Sequence, residues 1–250
     1  MSLRLEREGV VARLLIDRAA KRNAFTQAMW DRLPDLLGQA MDDADVRLLV
    51  LQSAQPGIFC AGADIGELLE RSDDAAWRAA NQAAIARAQH ELARAPKPVI
   101  AFIDGDCVGG GGGLALACDL RVATARARLG ITPAKLGLVY PLHDTKLLVD
   151  LVGPSQAKRI LFTGQLLGVN EALRIGLVDM IAEAPGELIA SIAAASSHSA
   201  RQTKAMIRRI LDGQTDDDSD TAAIFAEAFT LADFHEGVRA FVEKRRPEFL

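Results

Sequence analysis

The chain is poor in the residues that organise several protein classes. Its 250 residues include three cysteines, four histidines and one tyrosine, and aromatic side chains make up 5% of the total. Cys60, Cys107 and Cys118 are odd in number and widely spaced, so they offer no disulfide framework and no paired C-x-x-C for zinc. A reducing compartment, the cytoplasm, is the expectation. His90, His143, His198 and His235 do not pair at metal-ligand spacing, and no metal is expected. There is no apolar run of about 20 residues to span a membrane, and residues 1–8 lack a basic-then-apolar leader. With 29 Lys plus Arg against 33 Asp plus Glu, the net charge is −4. Such a chain lacks the basic footprint and stacking rings of a nucleic-acid binder.

What is present is an ordinary globular composition, half hydrophobic and a quarter charged, which excludes disorder for the chain as a whole. The length suits one large domain or a domain with a small appendage. Residues 3–16 break at Glu8-Gly9 and predict a β-hairpin. Thr26 predicts an N-cap for a helix over 27–42, whose apolar residues Met29, Trp30, Leu33, Leu36, Leu37 and Met41 recur at helical offsets, with Pro34 inside. Val46–Leu51 and Val99–Ile103 are short apolar runs with little alternation, as expected for parallel strands covered on both faces. An Ala-rich helix is expected over 74–95, and strands over 120–124 and 178–182. Strand–helix alternation predicts an α/β core over 1–186. From Glu187 onward every segment reads as helix, giving a helical region, 187–250, suited to a lid or an association surface.

Two glycine-bearing turns carry the chemical signal. Gly109 to Gly113 lead into the apolar segment Leu114–Cys118, where a helix is expected. Glycine costs about 0.8–1 kcal/mol per helical residue relative to alanine, so five at a helix start need a reason. Three remain open: bare backbone N–H groups for an anion or oxyanion, close packing, or a linker. No Gly-Lys-Ser/Thr follows, so this is not a P-loop. The second turn runs from Gly57 to Ile65 ahead of a short helix near 65–70. Two such turns on neighbouring parallel strands can each supply one N–H to a single point, which is the geometry of an oxyanion hole.

At these residues the chain resembles a known family. Lys21-Arg-Asn-Ala24, Phe59-Cys-Ala-Gly-Ala-Asp-Ile65, Pro96-Lys-Pro-Val-Ile-Ala101, the Gly109 run, Leu114 to Val122, Lys135-Leu-Gly-Leu138, Leu161-Phe-Thr-Gly164, Glu171 to Val178 and the ending Gly237 to Phe249 keep order and spacing with the crotonase (enoyl-CoA hydratase/isomerase) superfamily. The resemblance implies a crotonase-like spiral of ββα units with a helical C-terminal region forming homotrimers, often paired as homohexamers. It implies an acyl-CoA substrate, with coenzyme A as part of that substrate and no separate cofactor. The oxyanion donors would be the N–H groups of Ala63 and Gly110. Contacts to the CoA moiety would map near Lys21, Arg22, Ala24, Ala61, Asp64 and Ile65, and Phe241 and Lys244 would approach the CoA of a neighbouring subunit. RNA binding, known for an occasional relative, is disfavoured by the charge balance.

The chain also departs from the family pattern. Enoyl-CoA hydratases use two glutamates; their positions here are Gly113 and the region of Pro133, where Thr132 and Ala134 are not acidic. Losing a general acid or base forfeits about 10²–10⁴ per group. Decarboxylation needs no base, because loss of CO₂ leaves the enolate directly. The expectation is therefore a lyase that decarboxylates a malonyl-type CoA, with two alternatives: an enoyl-CoA hydratase or isomerase with rewired acid/base groups, or a non-catalytic acyl-CoA binder. Thr132 to Tyr140 is locally similar to methylmalonyl-CoA decarboxylases, which makes Tyr140 the candidate for orienting a carboxylate; those enzymes, however, carry His at position 63 and Glu at position 113. His143 and Asp144 are the remaining titratable candidates, either facing the site or forming a solvated turn with Asp144 as helix cap.

Overall fold

In the computed structural model, which describes residues 2–249, the chain opens with the expected hairpin: β1 (Leu3–Glu8) and β2 (Val11–Ile16) pair antiparallel. Helix α1 (Gln27–Asp42) follows, with Thr26 at the N-cap position. The Thr26 side chain makes no capping bond; instead the Glu67 carboxylate accepts from Gln27 N at 2.8 Å. A carboxylate at the positive end of a helix is favourable, and here it ties the first helix to the turn carrying Ala63.

Three strand pairs then build the core. β3 (Leu48–Ser53) is followed by β4 (Ile58–Cys60), the short helix α2 (Ile65–Glu70) and the long α3 (Ala75–Ala93). β5 (Val99–Ile103) is followed by β6 (Asp106–Val108) and α4 (Gly110–Ala117). β7 (Leu120–Ala123) is followed by β8 (Arg128–Gly130), a 3-10 turn over Pro133–Leu136 and α5 (Leu142–Thr163), which kinks at Gly153. The first strand of each pair joins one sheet and the second joins another, which produces the spiral of ββα units. β9 (Leu167–Gly168), α6 (Val169–Arg174) and β10 (Met180–Ile181) complete the two sheets. The larger has the order β1-β2-β3-β5-β7-β10, parallel from β2 onward; the smaller has the order β4-β6-β8-β9. The described chain then continues in helices: α7 (Gly186–Ala193), α8 (Ser197–Leu211), α9 (Ser219–Ala228) and α10 (Ala232–Glu243).

The apolar strand runs behave as their composition implies. Leu48, Leu49, Val50 and Leu51 are all fully buried. Leu49 and Leu51 face the main core with α1, α3 and α4, whereas Leu48, Val50, Ile100 and Val122 face a second cluster covered by Leu188, Ile189 and Ile192 of α7. Both faces of the sheet are covered, so alternation is lost. The second strands carry no readable period because they are three residues long, and β6 and β8 each open on a charged residue. Their turns are clamped by ion pairs: Arg126 grips Asp104 through two bonds of 2.5 and 2.6 Å, and Arg128 grips Asp106 through two of 2.8 Å. The Arg126 guanidinium holds the Asp104 carboxyl below the usual carboxylate range.

One expectation needs correction. α4 starts at Gly110, not Leu114, and ends at Ala117. Tertiary packing overrides glycine's poor helix propensity: a Cβ at Gly111 would overlap Cys60, and one at Gly112 would overlap Ile131. Close packing and free N–H groups are therefore both used, by different glycines of one run.

The loop before α1 depends on Asn23, which is fully buried. Its Oδ1 accepts from Arg18 N at 2.9 Å, and its Nδ2 donates to Ser53 Oγ at 2.8 Å and to Phe59 O at 3.0 Å. Its φ of 56° is left-handed, a conformation asparagine tolerates better than most residues. Asn23→Ala strands these partners and should lower stability by roughly 2–4 kcal/mol, read as a fall in the urea midpoint. An unchanged midpoint would contradict this role.

Candidate active site

Ala63 and Gly110 follow neighbouring parallel strands, β4 and β6. Residues 61–64 run alongside residues 22–25: Ala61 N donates to Arg22 O, Phe25 N to Gly62 O at 2.7 Å and Asp64 N to Phe25 O at 2.8 Å. Phe25 and Ala63 thus form a parallel bridge in which Gly62 C=O and Asp64 N–H face Phe25. In extended backbone the intervening N–H of Ala63 points the opposite way. That way lies Gly110: a Cβ built on Gly110 would sit 3.5 Å from Ala63 N, and one built on Gly62 would sit 3.2 Å from Gly110 N. Gly62 has φ 102° and would also bring a side chain to 3.0 Å from Val108 O, so this approach needs glycine.

Gly110 is the first residue of α4, where an N–H has no intrahelical partner. Among the described residues neither Ala63 N–H nor Gly110 N–H has an acceptor. Both residues are half-buried, whereas Gly111 to Gly113 are buried. Two N–H groups without acceptors among the described residues, one of them at a helix N-terminus, therefore lie close together on half-buried backbone. The indole of Trp30, itself 1% exposed, packs behind it, with Cζ2 3.2 Å from a Cβ position on Gly110.

One helical turn further along α4, Gly113 faces a polar cluster. A Cβ there would overlap Gln89 Nε2 and lie 3.1 Å from Tyr140 Oη. Gln89 comes from α3 and is 1% exposed. Tyr140 comes from the exposed loop before α5; among the described residues its enclosed hydroxyl has no partner, nor has Gln89 Oε1. Burial pushes the Tyr140 hydroxyl pKa up, and the nearby Asp144 carboxylate adds to this. Asp144 is 1% exposed, and burial raises its pKa, opposed by a hydrogen bond from His143 and a smaller one from Gln89. His143 Nδ1 lies 3.1 Å from Asp144 Oδ1, and its ring centroid is 5.6 Å from that of His90. The solvated cap is thus corrected: Pro141 occupies the N-cap of α5, and Asp144 turns inward against α3 and Tyr140.

The residues expected to contact CoA divide into two groups. Arg22, Ala24, Ala61, Asp64 and Ile65 lie along the paired 22–25 and 61–65 segments beside Ala63. Lys21 ends the adjoining 3-10 turn and is exposed. Arg22 pairs with Asp106 at 2.7 Å. Asp64 is bound by Arg18 at 2.8 Å and caps α2 through Gly66 N and Glu67 N, and its carboxyl is held below the usual range, chiefly by Arg18. Ile65 is 53% exposed. Phe241 and Lys244 stand apart on α10 and its C-cap, with Phe241 86% exposed.

Gln89 was missed by sequence reasoning. The available signal was a polar residue on the buried stripe of α3, one position after Ala88 and three before Leu92. The cysteines are free and buried, and burial pushes Cys60 and Cys118 up to about 12, so neither thiol is a nucleophile at neutral pH. Among the described residues no His/Cys/Asp/Glu cluster could hold a metal, and no helix is long and apolar enough to cross a membrane.

Comparison with known proteins gives the family. The family model for enoyl-CoA hydratase/isomerase matches residues 6–250. The short-chain-enoyl-CoA hydratase of Clostridium acetobutylicum is 33% identical over 252 residues, spanning 98% of this chain and 95% of that protein. The crotonyl-CoA hydratase of Syntrophomonas wolfei is 32% identical over 255 residues, spanning 98% and 96%. The crystal structure of an enoyl-CoA hydratase/isomerase family protein from Hyphomonas neptunium superposes with a TM-score of 0.94 at 40% identity, covering all of this chain and 98% of that one. With its two sheets, its order of ββα units and its sequence matched from end to end, the chain belongs to the enoyl-CoA hydratase/isomerase family of the crotonase superfamily.

Proposed function

We propose that the chain stabilises the enolate of an acyl-CoA thioester between Ala63 N–H and Gly110 N–H, and that Asp144 handles the proton, giving a hydratase or isomerase with rewired acid/base groups. The closeness of two N–H donors that have no acceptor among the described residues carries this reading. Charge grows on the thioester oxygen in the transition state, so donors fixed there beforehand lower the barrier. In hydration, water oxygen bonds to the β-carbon, the carboxylate takes its proton, and the resulting acid returns a proton to the α-carbon. One carboxyl can serve both steps. Asp144, enclosed with Gln89 and Tyr140 and held by His143, is the buried carboxyl available for this role.

The CoA moiety would lie along Lys21, Arg22, Ala24, Ala61, Asp64 and Ile65. The apolar residues exposed on α8 to α10, with Phe225 at 70% and Phe241 at 86%, suit the trimeric association that places Phe241 and Lys244 beside a neighbour's substrate. A second reading, decarboxylation of a malonyl-type CoA, draws on the unpartnered Tyr140 hydroxyl, which would orient a carboxylate. There the bond to the carboxylate breaks, CO₂ leaves and its electron pair enters the enolate without a base.

Turnover of crotonyl-CoA and methylmalonyl-CoA separates these readings. The expected result is hydration of crotonyl-CoA that falls about 10²–10⁴-fold in Asp144→Asn. Release of CO₂ from methylmalonyl-CoA, untouched by Asp144→Asn, would favour the second reading, and saturable binding without turnover would contradict both. Proline is tolerated at the first position of a helix, so Gly110→Pro removes the N–H without breaking α4 and puts ring carbons where it pointed. It should cost about 10²–10³ in kcat, against a small effect for Gly110→Ala, which adds a Cβ beside Trp30 but keeps the N–H. Asp144 also predicts a pH effect. Its folded pKa is raised, so its contribution to stability is complete below the unfolded value near about 3.9 and is lost as pH rises through the folded value. Asp144→Asn should therefore unfold at higher urea than the parent at pH 7, with the gap closing toward pH 4; an equal gap at both pH values would contradict the raised pKa.

A further inference from the structure

We infer that His143 relays protons between the enclosed Asp144 carboxyl and solvent, so that the site exchanges an α-hydrogen of a bound acyl-CoA with water without turnover. The inference rests on the proposed role of Asp144. A carboxyl that takes and gives protons inside the fold needs a route outward, and the Asp144 side chain is only 2% exposed. Among the described residues the polar side chains against it are His143 beside it on α5, Gln89 of α3 and Tyr140 of the preceding loop. A side-chain amide such as that of Gln89 keeps its protons. The Tyr140 hydroxyl is itself enclosed, and burial pushes its pKa up, away from neutral pH. His143 is left: its Nδ1 lies 3.1 Å from Asp144 Oδ1, and its side chain is 32% exposed. An imidazole can take a proton at one ring nitrogen and release one from the other.

The protons and electrons balance at each transfer. The Asp144 carboxylate takes the α-proton, and the electron pair of the C–H bond enters the enolate held at Ala63 N and Gly110 N. The resulting acid gives its proton to His143 Nδ1, and the imidazolium releases the proton on Nε2 to water. A solvent proton returns by the reverse path and is added to the α-carbon. Across from His143 stands the exposed ring of His90 on α3, with 5.6 Å between centroids. Partial desolvation lowers the His90 pKa, and the positive charges of Arg94, His143 and Arg208 add to this, opposed by Asp212. Two rings this close disfavour a standing charge on both, so an imidazolium formed at His143 passes its proton on. The same path delivers a solvent proton to an enolate formed in any other way, including by loss of CO₂.

Butyryl-CoA, which has no double bond to hydrate, reads the relay directly: incubated with the protein in D₂O, its acyl group should gain deuterium, followed by mass spectrometry. Asp144→Asn should abolish the gain. His143→Asn keeps an N–H donor at the place of Nδ1 but cannot pass a proton through, and it should lower the ratio of exchange to crotonyl-CoA hydration by about 10²-fold. A role in positioning Asp144 alone would lower both rates together and leave the ratio in place. His143→Ala should show the same fall, reversed by free imidazole, and it provides the test if the asparagine variant does not fold. A ratio that stays at the parent value in either variant, or a parent that hydrates crotonyl-CoA without exchanging butyryl-CoA, overturns the relay alone. Exchange that survives Asp144→Asn, or a parent that neither hydrates nor exchanges, contradicts proton handling by Asp144 itself and removes the relay with it.

Discussion

Two neighbouring backbone N–H groups, without acceptors among the described residues, are the constraint on which the rest of the proposed site depends. Each comes from a different ββ unit, so their separation is fixed by sheet pairing rather than by any side chain. β4 and β6 run parallel, and the Phe25–Ala63 bridge turns the Ala63 amide away from the loop that holds it. Helix α4 begins at Gly110, whose N–H is free by the geometry of helix starts. Donors built this way need little reorganisation when charge develops, and fixed donors in a dry site are the largest contribution in many enzymes that pass through oxyanions.

The glycine run divides its work by position. Gly110 leaves its amide open, Gly111 and Gly112 let α4 pack onto Cys60 and Ile131, and Gly113 makes room for Gln89. Position 113 is therefore flanked here by side chains of other elements, Gln89 of α3 and Tyr140 of the loop before α5, with Asp144 of α5 beside them. A missing glutamate is a local fact of sequence, whereas the polarity of the site is a sum over elements distant in the chain. That difference moves the weight of the functional reading from base-free decarboxylation toward proton handling by Asp144.

The parts legible in the sequence were those written in local pattern. The buried runs of β3 and β5, the helical offsets of α1 and the glycine turns could be read because burial on two faces, on one stripe, or against a backbone selects residue types directly. β4, β6 and β8 could not be read: three residues carry no period, and β6 and β8 are joined by ion pairs 22 residues apart, Asp104 with Arg126 before the strands and Asp106 with Arg128 at their first residues. The start of α4 was misplaced because propensity is weaker than packing. Gln89 and Asp144 were hidden for a different reason. Their burial follows only from the meeting of α3, α4 and α5 at a residue without a side chain.

The two-amide clamp has a direct spectroscopic signature. Hydrogen bonds at the thioester oxygen weaken the C=O bond, so Raman difference spectroscopy of an unsaturated acyl-CoA bound to the protein, with a ¹³C label at the carbonyl, reads the clamp without relying on turnover. The account predicts a carbonyl stretch moved to lower wavenumber than in the free thioester in water, and a smaller displacement when the Gly110 donor is absent. A bound thioester whose carbonyl band stays at its solution position would contradict the clamp and the chemistry built on it.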